Sequence, residues 1–160
     1  MAITGTICDK LGREAHVVEP LFTDFGAVLE CAGPMVTLRT FEHGALVPTV
    51  VQEPGDGQVL VIDAGGSERC AAIGSDVAET ALANDWAGIV VYGCVRDAEQ
   101  LSQLEIVVKA LNVHPRAADA KTDGERDVPL VFGGVVFDPG DWLYADLDGA
   151  VVSPTQAEFD

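Results

Sequence analysis

Residues 59–66 read VLVIDAGG, residues 74–77 read GSDV, and residues 86–97 read WAGIVVYGCVRD. The order is strand, glycine turn, helix start, strand. Asp76 is the expected N-cap of the helix, with Glu79 three residues on. Ala78, Ala81 and Leu82 recur at helical spacing, and Gly88 ends the run before a strand over 89–95. Such a βαβ unit predicts two parallel strands joined by a right-handed crossover. In open α/β sheets, ligands collect at the carboxyl ends of strands and at helix N-termini. Arg96-Asp97 falls at the end of the second strand. It offers one anion clamp and one hard-cation ligand.

Outward from this unit the pattern is mixed. Residues 33–41, GPMVTLRTF, alternate as a strand with Val36 and Leu38 on one face. A short helix fits 44–52, interrupted by Pro48, and EPGDG makes a turn before the strand at 58–62. After Asp97 come a short polar helix and an alternating strand over 104–111. HPRAADAKTDGERD (114–127) is polar, rich in turn formers, and expected to be an exposed loop. The last third reads as hairpins: VPLVF, GVVF, the turn DPGD, WLYAD, the turn LDG, and AVVSP. Residues 155–160 are expected to fray, and the first 20 carry no clear pattern. The expected fold class is α/β, a central βαβ unit with antiparallel C-terminal strands, in one domain over 1–160.

Composition excludes several function classes. The net charge of −17, with only nine basic residues, argues against direct nucleic-acid binding, which needs clustered Lys and Arg. The same charge suits a basic protein partner and requires any anion site to be built locally. No apolar run reaches the roughly 18 residues of a membrane span, and the start lacks a signal-peptide pattern, so a cytoplasmic location is expected. Cys8, Cys31, Cys70 and Cys94 form no CxxC pair, so neither zinc nor a disulfide framework is expected, and Cys94 reads as a buried hydrophobe.

Each candidate has two readings. In Gly74-Ser75-Asp76-Val77 the amides of residues 75–77 either hold a substrate carboxylate or are satisfied by Asp76 as an ordinary cap. Gly65-Gly66 either admits a ligand or makes a tight turn. Arg96 either forks onto a carboxylate or closes a structural ion pair. Asp97 either serves a divalent metal or opens the next helix through the capping box Asp97-Ala98-Glu99-Gln100. His16, His43 and His114 are isolated. Lys109 is the one lysine in a semi-apolar strand, the setting an imine-forming enzyme needs. Asp146 and Asp148 read as a hairpin turn.

The segments VVEPLFTDFG, VLVIDAGGSERCAAIGSDVAE, NDWAGIVVYGCVRD, GERDVPLVFGGVVFDPGDWLYADLDG and AVVSP together closely resemble one family over nearly the whole chain. It is the regulator of ribonuclease E activity A (RraA) family, with its 4-hydroxy-4-methyl-2-oxoglutarate aldolase group. The resemblance implies a swivelling β/β/α domain, assembled as a homotrimer or as a hexamer of two trimers, with sites at subunit interfaces. It implies that the backbone of Gly74-Ser75-Asp76-Val77 holds a pyruvate moiety, that Arg96 contacts substrate, and that Asp97 serves a Mg²⁺ or Mn²⁺ ion. Pure ribonuclease regulators lose the acid after the arginine, and this chain keeps it. The loop HPRAADA carries fewer basic residues than the family pattern.

The implied reaction is metal-dependent retro-aldol cleavage of a 4-hydroxy-4-methyl-2-oxo-dicarboxylate to pyruvate, with oxaloacetate decarboxylation through the same enolate. Arg96 and Asp97 are its catalytic residues, and no general base is assigned. The scarcity of lysine fits a metal route better than an imine route. The alternative is a non-catalytic regulator that binds and inhibits ribonuclease E.

Overall fold

The computed structural model describes residues 3–121 and 123–158. In chain order the elements are α1 (Ile3–Leu11), a 3-10 turn (Gly12–Glu14), β1 (His16–Val17), β2 (Thr23–Asp24), β3 (Cys31–Arg39), α2 (Leu46–Val51), β4 (Val59–Asp63), β5 (Ala71–Ile73) and α3 (Ser75–Ala83). They continue as β6 (Gly88–Val95), α4 (Ala98–Leu101), β7 (Val107–Val113), β8 (Glu125–Arg126), β9 (Leu130–Phe132), β10 (Val135–Phe137), β11 (Trp142–Asp146) and β12 (Gly149–Ser153).

One mixed sheet carries ten of these strands. Its order is β1-β12-β11-β3-β4-β6-β7-β2, with β5 beside β6 and β8 beside β3. The centre, β3-β4-β6-β7, is parallel, while β11, β12 and β1 on one margin and β2 on the other are antiparallel. The parallel unit and the antiparallel C-terminal strands match the sequence reading.

Both faces of the centre are covered, which explains its uninterrupted apolar runs. Along β4, Leu60 and Ile62 pack with α2 and α3 residues such as Val50 and Ala78, while Val59 and Val61 pack with Leu130, Phe132 and Phe137. Val36 and Leu38 share the helical side, as their alternation required. Pro48 sits in the first turn of α2, where its missing N–H costs no intrahelical bond.

The sequence leaves the opening segment unassigned, and two expectations need correction. The opening segment forms α1, whose Ile7 packs with Tyr144, Val151 and Ala157. The strand expected at 104–111 runs from Val107 to Val113, because Leu104 and Ile106 turn into the core before it starts. The C-terminal segment is tied down through Ala157, which is buried and donates its N–H to the Tyr144 hydroxyl at 2.5 Å. Phe159 and Asp160 lie outside the described residues. Among the described residues, no helix is long and apolar enough to cross a membrane.

Candidate active site

β4 and β5 occupy successive stretches of the same edge of β6. β4 pairs with β6 from Val59↔Gly88 to Asp63↔Tyr92, and β5 then pairs with Cys94 and Val95. Between them the chain turns at Gly65 and Gly66, both at positive φ, with the Phe41 ring against the first and the Tyr92 ring against the second. Packing therefore accounts for that glycine pair as a tight turn. β5 leads directly into α3, so the start of α3 and the end of β6 meet. The Arg96 N–H donates to the Ile73 carbonyl at 3.0 Å, fixing that junction.

The cap of α3 is where the sequence reading is corrected. Gly74, not Asp76, is the N-cap, and Asp76 lies in the first turn. The capping oxygen comes from 22 residues downstream. Asp97 Oδ2 accepts the Ser75 N–H at 2.9 Å and the Ser75 hydroxyl at 3.1 Å. The capping-box reading of Asp97 also fails. Asp97 precedes α4, but in a left-handed conformation (φ 64°, ψ 45°) that aims its side chain at α3 and makes no cap bond to α4. Asp56, Asp85 and Asp127 adopt the same region elsewhere, as aspartates readily do, so the side-chain direction and not the backbone angle marks Asp97.

Gly74 leaves the space in which these groups converge. A β-carbon there would stand 2.7 Å from Asp97 Oδ2 and 3.3 Å from both Arg96 Cγ and Asp76 Oδ1. Beside it opens a cleft of about 180 Å³. Gly74, Asp76, Val77 and Arg96 form one wall, β5 (Ala71–Ile73) lines it, and Gly44, Ala45 and Pro48 close a side. Ala117, Ala118 and Ala120 form the remaining wall. Sequence reading missed this last contribution, because the 114–127 segment looked like a free loop. It is exposed, yet it is laced to the sheet: Arg116 O accepts from Ala71 N, Ala118 N donates to Ala71 O, and Gly44 N donates to Asp119 O. Its small alanines leave the cleft open.

The cleft has the chemistry for a small oxo acid. Arg96 is half-buried, and among the described residues its guanidinium has neither an ion pair nor a hydrogen bond. The ion-pair reading therefore finds no partner. The amides of Asp76 and Val77 lie in the first turn of α3, where no intrahelical acceptor exists and the helix dipole favours an anion. Asp97 Oδ1 is not used in the α3 cap. Among the described residues no group of three or more His, Cys, Asp or Glu side chains gathers as a metal cage. One carboxylate oxygen, with Asp76 close by, fits a hard, largely hydrated cation such as Mg²⁺, which takes one or two carboxylates and keeps several waters.

The remaining candidates fall elsewhere. Lys109 is 3 % exposed, paired with Asp24 at 2.9 Å and donating to the Asp146 carbonyl at 2.8 Å, away from the cleft. His114 Nδ1 accepts the Arg116 N–H, and His43 stands 4.0 Å from Asp123. All four cysteines are free and Cys94 is buried.

The chain is similar to several known proteins. The RraA-like family profile, described as Aldolase/RraA, matches residues 4–152. A relative from Alkalilimnicola ehrlichii, named "Putative 4-hydroxy-4-methyl-2-oxoglutarate aldolase", is 48% identical over 94% of this chain and 93% of its own. The structure named as the RNA-processing inhibitor RraA from Thermus thermophilis superposes with a TM-score of 0.95 at 41% identity, covering 99% of this chain and 96% of that one. A Geobacillus kaustophilus structure named S-adenosylmethionine: 2-dimethylmenaquinone methyltransferase gives 0.92 at 36% identity, covering 96% and 95%.

Proposed function

The chain belongs to the RraA-like family, and on that premise we propose that it is a divalent-metal-dependent lyase. Its substrates are 4-hydroxy-4-methyl-2-oxoglutarate-type oxoacids, which it cleaves to pyruvate, with oxaloacetate decarboxylation as a side activity. The observation that supports this reading is the Arg96 guanidinium, which lines a small cleft without a partner among the described residues, while Asp97, outside that lining but next to Gly74 on its wall, keeps an oxygen free of the α3 cap.

In the reaction, the C3–C4 bond breaks and its electron pair passes into the pyruvate half as an enolate. The 4-hydroxyl oxygen loses its proton and becomes the new carbonyl, and C3 regains a proton. The first-turn amides of Asp76 and Val77 hold the C1 carboxylate, with Gly74 and Ser75 shaping the turn that presents them. Arg96 pins the 2-oxo acid and meets the charge that develops on it. Asp97, oriented by Ser75, would hold the cation through its other oxygen. When bound, a divalent ion supplies Lewis-acid polarisation of the 2-keto oxygen. Holding the substrate in this geometry supplies proximity besides charge stabilisation.

Residues 1–160 act in this reading as one domain, and the working assembly is a homotrimer or a pair of trimers. Val131 and Val136 face each other on the outer side of the β9–β10 hairpin, 68 % and 49 % exposed, the kind of apolar pair another copy would cover. The likeness to an RNA-processing inhibitor favours a second role, in which the −17 surface docks on a basic segment of ribonuclease E. Salt-sensitive binding to such a segment would support it.

The decisive assay measures pyruvate release from oxaloacetate and from the hydroxy-methyl-oxoglutarate, with Mg²⁺ or Mn²⁺ and with EDTA. Non-enzymatic metal-catalysed decay is the control. Metal-dependent release above that control is expected with both substrates. Its absence from folded protein would leave the ribonuclease-binding role as the function.

A further inference from the structure

A second depression, about 330 Å³, adjoins the cleft and shares Ala117 with it. Glu42, Arg69, Cys70, Arg116 and Asp119 form the rest of its lining. Its two arginines differ. Arg69 is held in place: its Nε donates to Glu42 Oε1 at 2.6 Å, and its guanidinium lies over the Phe41 ring at 5.8 Å. Glu42 also accepts from the Ser67 hydroxyl, so its charge is already engaged. Arg116 has a fixed backbone, with its N–H on His114 Nδ1 and its carbonyl on Ala71 N. Its guanidinium has no partner among the described residues.

We infer that Arg116 is a specificity-determining residue that takes the distal carboxylate of a dicarboxylic 2-oxo acid whose C1 end sits at Gly74–Val77 and Arg96. The inference rests on the lyase reading above. Two anion-binding points in continuous space suit a substrate with two acid groups. Their spacing fits as well. Arg116 joins the edge of β5 at Ala71, and Gly74 lies three residues further along, about 10 Å at strand rise. An extended arginine reaching back and a five-carbon diacid together fill that gap. Asp119, on the rim, opposes the arrangement. Its negative charge weakens the subsite and supplies a test of sign.

The experiment compares cleavage of 4-hydroxy-4-methyl-2-oxoglutarate with that of 4-hydroxy-4-methyl-2-oxopentanoate, in which a methyl group replaces the distal carboxylate. The first yields two pyruvates, the second pyruvate and acetone. For Arg116→Ala, the diacid-to-monoacid ratio of kcat/KM should fall roughly tenfold to a hundredfold, the range of one charge-assisted contact, with the loss carried by KM. Arg116→Lys should recover part of the ratio, and Asp119→Asn should raise it. An unchanged ratio in Arg116→Ala, or an equal loss on both substrates, overturns the assignment while leaving the lyase reading intact. Wild-type protein that cleaves neither substrate overturns both. Because the Arg116 side chain is exposed and has no partner among the described residues, its removal leaves the fold intact to be tested.

Discussion

Two aspartates end strands of this molecule and cap helices from far away in sequence, and only one has valence to spare. Asp146, at the end of β11, receives the Thr4 N–H at 2.8 Å and the Thr4 hydroxyl at 2.7 Å, and so anchors α1. Asp97, just past β6, receives the N–H and hydroxyl of Ser75 and so anchors α3. The donor pairs are the same in kind. Asp146, however, is 3 % exposed and uses both oxygens, Oδ1 taking the Asp148 N–H as well. Asp97 is half-buried, spends one oxygen on its cap, and is preceded in the chain by Arg96, which lines the cleft and has no partner among the described residues. Saturation separates a structural carboxylate from a chemical one more surely than capping geometry does.

Removing each carboxylate in turn separates the two roles most directly. Asp97→Ala should lower metal-dependent pyruvate release by about a hundredfold or more, since a held cation supplies several kcal/mol of transition-state stabilisation. Its stability cost should stay near 1 kcal/mol, the worth of one N-cap. Near-normal turnover in that variant would remove Asp97 from the mechanism.

Asp146→Ala should do the reverse. It strands the two buried donors of Thr4 and a partly buried one at Asp148, and denaturant unfolding should show a loss of about 3 kcal/mol with little change in turnover per folded molecule. A pH dependence accompanies it. Burial pushes the Asp146 carboxyl up, but the bonds from Thr4, Asp148 and Gly149 outweigh that and hold it below the usual range. The folded value lies below the unfolded one, so this contribution is present above about pH 3.9 and fades as pH falls through the folded value. Asp146→Asn should therefore flatten the acid limb of the stability curve, and an unchanged limb would assign acid unfolding to other groups.

These two aspartates also show what a sequence can disclose. Arg96-Asp97 was legible because an apolar strand ends there, and strand ends in parallel sheets collect ligands. The local reading of Asp146 and Asp148 as a turn was sound, since the Asp148 N–H does return to Asp146. The Thr4 anchor, 142 residues away, has no local trace. For the same reason Asp76 looked like the cap of α3: it has the right residue type and spacing, but the sheet delivers Asp97 to the helix instead. The alanine wall at 117–120 was hidden too, because the backbone bonds that make it part of the site leave no side-chain pattern.

Gly74→Ala sharpens the comparison at the Asp97 side. The backbone there (φ −128°) accepts any residue, and an N-cap Gly-to-Ala change costs about 1 kcal/mol. The added methyl would nevertheless meet Asp97 Oδ2 at 2.7 Å and displace it. Activity should fall about tenfold, the effect of a small misplacement, while Tm moves little. Parallel losses of activity and Tm would show that Gly74 serves the fold rather than the site.

The smallest and finest contrast uses the two hydroxyls. Thr4 is buried and its hydroxyl bond to Asp146 is short, so Thr4→Ala should cost about 1–2 kcal/mol of stability and leave turnover unaltered. Ser75→Ala removes a longer, partly buried bond at 3.1 Å and leaves the Ser75 N–H to hold Asp97 Oδ2. Stability should change by less than about 0.5 kcal/mol. Asp97 would then sit in one bond instead of two, and a carboxylate that must present its other oxygen to a cation loses definition. A fewfold rise in the Mg²⁺ concentration needed for half-maximal activity follows, with kcat at saturating metal close to normal. If Ser75→Ala instead costs stability as Thr4→Ala does, with no change in metal requirement, the two aspartates are alike and the spare oxygen of Asp97 has no chemical role.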